Sequence, residues 1–119
     1  MPDVRRAVGD AGEDAVAAWY EASGYRVIDR NWRVREGEID VIAQQRATVV
    51  FCEVKTRRSD AFGIPPEAVG PRKQSRLRIL AVLWLRAHAD IQADVLRFDV
   101  ASVLPNGRGW SVDVLEAAF

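Results

Sequence analysis

The chain has 119 residues, 49% of them hydrophobic and 29% charged, and its 17 basic and 17 acidic side chains leave no formal net charge at pH 7. This balance suits a single domain over residues 1–119 built on one core, and it excludes a disordered segment or a multidomain enzyme. It gives no global electrostatic support to nucleic-acid binding, and a single cysteine, Cys52, rules out an internal disulfide.

No apolar stretch approaches the roughly 20 residues of a membrane span. The first residues carry Asp3, Arg5, Arg6 and Asp10 where a signal peptide would be apolar. The expectation is a cytoplasmic protein with no membrane partner.

Ala11, Ala15, Ala18 and Ala22 recur at helical spacing with Val8 and Trp19 beside them, which predicts an amphipathic helix from about Arg5 to Ser23, stopped by Gly24. Taken alone, Glu13 reads as a solvated acid on that helix. Tyr25 to Arg30 has the aromatic and β-branched content of a first strand. Asn31, Trp32 and Arg33 then read as a loop, where Trp32 packs or stacks on a base. Trp19 and Trp84 are assigned to the core.

Glu38 to Ala43 and Thr48 to Lys55 read as the second and third strands, and the short polar link Gln44-Gln45-Arg46-Ala47 makes them an antiparallel hairpin. Gly37 frees the backbone to bend just before the acids. Cys52 continues the apolar run from Val49 and reads as a small buried hydrophobe. Thr56 to Pro71 holds Gly63, Pro65, Pro66, Gly70 and Pro71 and is the longest loop-like stretch, a length often associated with function.

Arg72 to His88 is a predicted helix with Leu77, Leu80, Ala81, Trp84, Leu85 and His88 on one stripe and Lys73, Arg76 and Arg86 opposite. His88, the only histidine, is read as packed or capping. Asp94 to Val103 and Trp110 to Leu115 are the fourth and fifth strands, joined through the turn signal Pro105-Asn106-Gly107-Arg108-Gly109. The order predicts an α/β domain, a mixed central sheet of about five strands flanked by helices.

Two strings carry the chemistry, Gly37-Glu38-Ile39-Asp40 and Phe51-Cys52-Glu53-Val54-Lys55, because each sets acids inside or beside a buried strand. Glu53 and Lys55 stand two apart and project from one face, while Val54 faces the other way. The hairpin brings Asp40 to the same end of the sheet as Glu53. Hard divalent cations take oxygen donors, Mg²⁺ six of them at roughly 2.0 to 2.1 Å, and the Val54 backbone carbonyl offers another oxygen beside the carboxylates. Such a set suits phosphodiester hydrolysis. A cation on Asp40 and Glu53 polarises the phosphoryl group and lowers the pKa of bound water, while Lys55 orients the nucleophile or offsets transition-state charge. The plainer alternative is a same-strand ion pair at a sheet edge, which suffices for the E-x-K tripeptide alone. The acidic strand ahead of it favours a shared site.

Basic residues cluster at Lys55, Arg57 and Arg58, at Arg72, Lys73, Arg76 and Arg78, and around the first strand at Arg26, Arg30, Arg33 and Arg35. These are solvated faces or phosphate contacts. Thr56 and Arg57, directly after the lysine, and Lys73 and Arg76, at the start of the long helix, are the candidate nucleic-acid contacts.

The strings Gly12-Glu13, Gly24-Tyr25, Arg30-Asn31-Trp32-Arg33, Gly37 to Ala43, Phe51 to Arg57, Phe62-Gly63, Lys73, Arg97-Phe98-Asp99-Val100 and Ala118-Phe119 together resemble the YraN-like family of small uncharacterised bacterial proteins. That family in turn is similar to the restriction-endonuclease-like PD-(D/E)xK superfamily, and within it to archaeal Holliday junction resolvases. The resemblance implies a restriction-endonuclease-like sheet with Asp40, Glu53 and Lys55 at metal and catalytic positions, and Glu13 as an additional acid directed at the metal. Ile39 departs from the superfamily's proline and Cys52 from the family's usual valine, and neither removes a ligand. Glu38 alternates onto the face of Asp40 and has no role in that scheme.

The resulting expectation is a Mg²⁺- or Mn²⁺-dependent endonuclease acting on DNA, branched DNA included, as a homodimer that presents paired sites to two strands. One alternative is a nucleic-acid-binding module that keeps the fold without turnover. Another is an interaction or assembly factor whose acids hold metal only structurally.

Overall fold

Val49, Val50, Phe51 and Cys52 are each essentially buried, so consecutive side chains, which point to opposite faces, must both be covered. A strand of this kind belongs in the middle of a sheet with a layer on either side. The computed structural model describes residues 4–57 and 69–119, with side chains from residue 8 onward, and has that arrangement. In chain order the elements are α1 (Val4–Ala22), β1 (Arg26–Val34), β2 (Gly37–Gln45), β3 (Thr48–Thr56), α2 (Pro71–Ala87), β4 (Val95–Asn106) and β5 (Gly109–Leu115).

The strands lie in the order β1-β2-β3-β4-β5, with β3 central. The β1–β2, β2–β3 and β4–β5 pairs are antiparallel and β3–β4 is parallel. The parallel pair needs a crossover, and α2 lies within that connection. Val50 and Cys52 pack with Val16 and Tyr20 of α1, and Val49 and Phe51 pack with Leu77, Leu80 and Trp84 of α2. The predicted five-stranded mixed sheet flanked by helices is therefore the observed one.

Three local expectations are corrected. The buried line of α1 is Gly12, Val16, Ala17 and Tyr20, whereas Ala18 and Ala22 are exposed. Alanine spacing misled because a methyl group is at home on either face, while Tyr20 is drawn inward by a partner for its hydroxyl. Second, β1 runs on to Val34, so Trp32 lies in a strand rather than a loop and packs against the α2-side core. Third, β4 continues through Pro105 and Asn106, and the turn shrinks to Gly107 and Arg108, with Gly107 at φ +60°. Most of the stretch between β3 and α2, with Arg58, Phe62 and Gly63, lies outside the described residues.

A buried ionic knot ties α1 to the sheet. Asp99 is fully buried and accepts hydrogen bonds from Tyr20 Oη (2.6 Å), Arg97 Nε and Nη2 (both 2.9 Å) and the Ala117 amide (3.0 Å). Arg97 also donates to Tyr25 Oη at 2.9 Å. With its carboxylate saturated by donors, Asp99 is a structural acid. His88, as expected, caps α2, stacks on Trp84 at 4.1 Å and contacts its carbonyl oxygen through Nδ1.

Gly12 sets how closely α1 approaches β3. A Cβ there would stand 2.0 Å from Thr56 Oγ1 and 2.9 Å from Thr56 Cβ, so only glycine allows the helix to cross at this height. The next residue, Glu13, is thereby lowered onto the end of the sheet.

Candidate metal centre

The site forms where β2 parts from β3. Ile39 and Ile42 belong to the α2-side core, whereas Val41 and Ala43 belong to the α1-side core, so strand alternation slips by one between Ile39 and Val41. Asp40 occupies the slip. The β2–β3 register ends at Val41 opposite Cys52, and in the opening beyond it Asp40 Oδ2 accepts the Val54 amide hydrogen at 2.8 Å. On the other side of β2, the register steps from Arg30–Val41 to Trp32–Ile39. Asn31, at the skipped position, has φ +50°, a conformation asparagine tolerates better than most residues.

Carboxylates converge here from three elements. Oxygens of Glu13 from α1 and of Glu38 and Asp40 from β2 lie within 4.8 Å of one another. Glu53 of β3 completes the group electrostatically, being the strongest charged influence on Asp40 after burial. A cleft of about 760 Å³ bordered by Asp10, Glu13, Arg30, Asn31, Arg33 and Glu38 opens at this end.

So many acids in one place need compensation, and the structure supplies it unevenly. Burial, then the Glu53 charge, with smaller contributions from Glu13 and Glu38, pushes the Asp40 carboxyl up to about 7 against the pull of the Val54 amide. Burial likewise raises Glu13, opposed by a hydrogen bond from Asn31. Arg33 Nε pairs with Glu38 at 2.9 Å, and Lys73 Nζ pairs with Glu53 at 2.8 Å. Glu13 Oε2 is buried with no hydrogen-bond partner among the described residues.

A buried carboxylate oxygen of this kind suits a cation as its partner. The donors are all hard carboxylate oxygens, so the residues fit Mg²⁺ or Mn²⁺ rather than a soft metal.

The expected site residues thus fall into groups. Asp40 and Glu13 lie together with Glu38 rather than with Glu53, which influences Asp40 by charge while its own oxygen pairs with Lys73, and the atom Val54 presents to Asp40 is its amide hydrogen. Lys55 follows Glu53 on the same face by alternation, half-buried, with no carboxylate within ion-pair distance among the described residues. The lysine that does touch Glu53 is Lys73, from the first turn of α2. Thr56 packs against Gly12, Arg57 donates its amide to Val103, and Arg76 lies exposed on α2 with its stem beside Gly37.

Two residues went unassigned in the sequence. Glu38 was without a role, yet its alternation onto the face of Asp40 was the correct signal. Asn31 gave no sign beyond being an asparagine in a stretch of arginines.

An open mixed sheet with helices on both faces and a carboxylate cluster at the fork of two central strands defines the class of protein. The chain belongs to the Uncharacterised protein family UPF0102, whose profile matches residues 12–103. It is 42% identical to a UPF0102 protein of Acidothermus cellulolyticus over 97% of this chain and 95% of the relative. It is 48% identical to one from Streptomyces griseus over 90% of each, and 52% identical to UPF0102 protein STH1475 of Symbiobacterium thermophilum over 87% of each.

Proposed function

We propose that this protein is a divalent-cation-dependent nuclease of the PD-(D/E)xK type that hydrolyses phosphodiesters in DNA. The single observation that carries the reading is the buried Glu13 Oε2, without a hydrogen-bond partner among the described residues, facing a cluster that already holds Glu38 and Asp40. A buried carboxylate oxygen is costly unless a proton or a cation neutralises it, and several carboxylates set together favour a shared cation.

Asp40, Glu13 and Glu53 would hold Mg²⁺ or Mn²⁺, with Glu38 beside them. The cation supplies Lewis-acid polarisation of the phosphoryl oxygen. The Val54 amide fixes the rotamer of Asp40, so that donor is positioned before any ligand arrives. Lys55 stands on the Glu53 face, suited to orient an attacking water or offset phosphorane charge.

The approach side follows from charge. Helix α2 carries Arg72, Lys73, Arg76, Arg78 and Arg86 and no acid. Helix α1 has Arg5 and Arg6 in its first turn but only acids, Asp10, Glu13, Asp14 and Glu21, along the rest, and Arg30 and Arg33 beside it are paired with Asp14 and Glu38. A nucleic-acid backbone is therefore expected along α2, through Lys73 and Arg76, with Thr56 and Arg57 at the end of β3.

The test is cleavage of linear, flapped and four-way DNA with Mg²⁺ or Mn²⁺ by wild type, Asp40→Ala, Glu53→Ala and Lys55→Ala. Loss of Glu53 should slow cleavage by roughly three orders of magnitude. Equal rates in all variants would sink the nuclease reading. Salt-dependent binding without cleavage would make the protein a nucleic-acid-binding module, and absence of binding at any salt an assembly factor. Sedimentation of the free protein and of its junction complex tests the homodimer.

A further inference from the structure

The lysine that meets the catalytic glutamate is Lys73, twenty residues past Glu53 and on a different element. Its Nζ lies 2.8 Å from Glu53 Oε1. The Glu53 side chain is 10% exposed and that of Lys73 is 44% exposed. One partner is thus held in place by its surroundings, while the other is a long flexible stem with a half-solvated head.

Lys73 is also poorly placed for its own helix. It sits in the first turn of α2, beside Arg72, with no acid in that turn and no side-chain cap from Gly70. The helix N-terminus carries positive partial charge, so cations there are disfavoured unless an anion accompanies them. The anion that accompanies Lys73 here is Glu53, which in the proposed function holds the divalent cation. A monovalent side-chain cation and the metal therefore compete for the same carboxylate.

We propose that Lys73 is the exchangeable counter-ion of Glu53. In the metal-free protein it neutralises Glu53; when a nucleic-acid backbone arrives, Lys73 transfers to a phosphate oxygen and releases Glu53 to the cation. Metal and nucleic acid then load the site cooperatively, and each raises the affinity for the other by the same factor. Lys73 is a positioning residue in this scheme, acting through Glu53. The inference rests on the metal-site reading above.

The contrasting role would be a fixed orienting bond, with Lys73 holding Oε1 so that the other Glu53 oxygen faces the metal. The two differ in sign. Loss of an orienting bond weakens metal binding, whereas loss of a competing cation strengthens it.

The experiment is Mn²⁺ titration of the full chain by calorimetry, with and without a 20-base-pair DNA duplex, for wild type, Lys73→Gln, Lys73→Arg and Arg72→Gln. Thermal unfolding of each confirms that it is folded. Without DNA, Lys73→Gln should bind Mn²⁺ about tenfold more tightly than wild type, and Lys73→Arg should stay near wild type, since it restores the charge. Arg72→Gln removes a charge from the same helical turn but not the contact, and should change the affinity less than about twofold. DNA should tighten Mn²⁺ binding to wild type about tenfold and leave Lys73→Gln nearly unchanged. Equal or weaker Mn²⁺ binding by Lys73→Gln, with wild type binding normally, overturns the counter-ion role and leaves the metal site standing. Failure of every form to bind Mn²⁺ overturns the metal site itself, and this role with it.

Discussion

Asp40 accepts the Val54 amide hydrogen at 2.8 Å across the fork between β2 and β3. The bond joins the two strands just beyond the last paired residues, Val41 and Cys52, one residue further on β2 and two further on β3. It gives Asp40 one strong donor, but burial and the neighbouring carboxylates outweigh it, so the acid is held near its neutral form.

That balance makes stability depend on pH in a definite direction. Asp40 has its folded pKa raised to about 7 from the ordinary value of 3.8. Between those values the folded chain keeps a proton that the unfolded chain releases. This stabilisation is complete below about pH 4 and is lost as pH rises through about 7. Asp40→Asn keeps an oxygen for the Val54 amide and removes the charge. Urea unfolding at pH 8 should show it more stable than wild type by about 2–4 kcal/mol, with the difference shrinking towards pH 5. A variant less stable than wild type at pH 8 would contradict the raised pKa.

Gly12→Ala tests the crossing of α1 over β3. Alanine favours the helix by up to about 1 kcal/mol, but overpacking costs about 1–3 kcal/mol or more. The clash here is with Thr56 Oγ1 at 2.0 Å and with Thr56 Cβ, an atom fixed to the strand backbone. Overpacking should win, with a net loss of about 1–2 kcal/mol in denaturant unfolding. Mn²⁺ affinity should fall as well, because raising the helix lifts Glu13 from the cluster.

Glu38→Gln separates a metal ligand from a simple partner of Arg33. The pair is exposed enough that its loss should change stability by no more than about 0.5 kcal/mol. Removing one carboxylate from the set should weaken Mn²⁺ binding about tenfold. Unchanged affinity in calorimetry would confine Glu38 to the ion pair.

Trp32→Ala distinguishes packing from base stacking. Trp32 is partly buried against the core that contains Ile39, Leu80 and Trp84. Unfolding should show a loss of about 2–3 kcal/mol, below the 3–5 kcal/mol of a fully buried aromatic residue. DNA affinity measured where the variant is fully folded should match wild type; a selective loss of single-stranded DNA binding would return Trp32 to a stacking role.

Much of the fold was legible along the chain. The Val49 to Cys52 run has no polar side, which identifies a central strand, and the Leu77, Leu80, Ala81, Trp84 stripe identifies the inner face of α2. The face of α1 was misread because alanine is indifferent to burial, while the residue that decides it, Tyr20, is buried by a bond to Asp99 seventy-nine positions away.

The chain's chemically anomalous residues are visible in its order alone: Asp40 and Glu53 cannot lie in buried strands without compensation, and alternation keeps Glu53 and Lys55 on one face. What compensates them is set by packing. Whether Glu38 joins Asp40, whether Glu13 reaches the sheet, and whether Glu53 meets Lys55 or Lys73 depends on where β2 leaves β3, how low α1 crosses at Gly12 and where the first turn of α2 comes to rest. Periodicity reports which face a side chain takes within one element. The distance between charges on different elements, which sets Coulomb energy, is defined only once those elements are packed together.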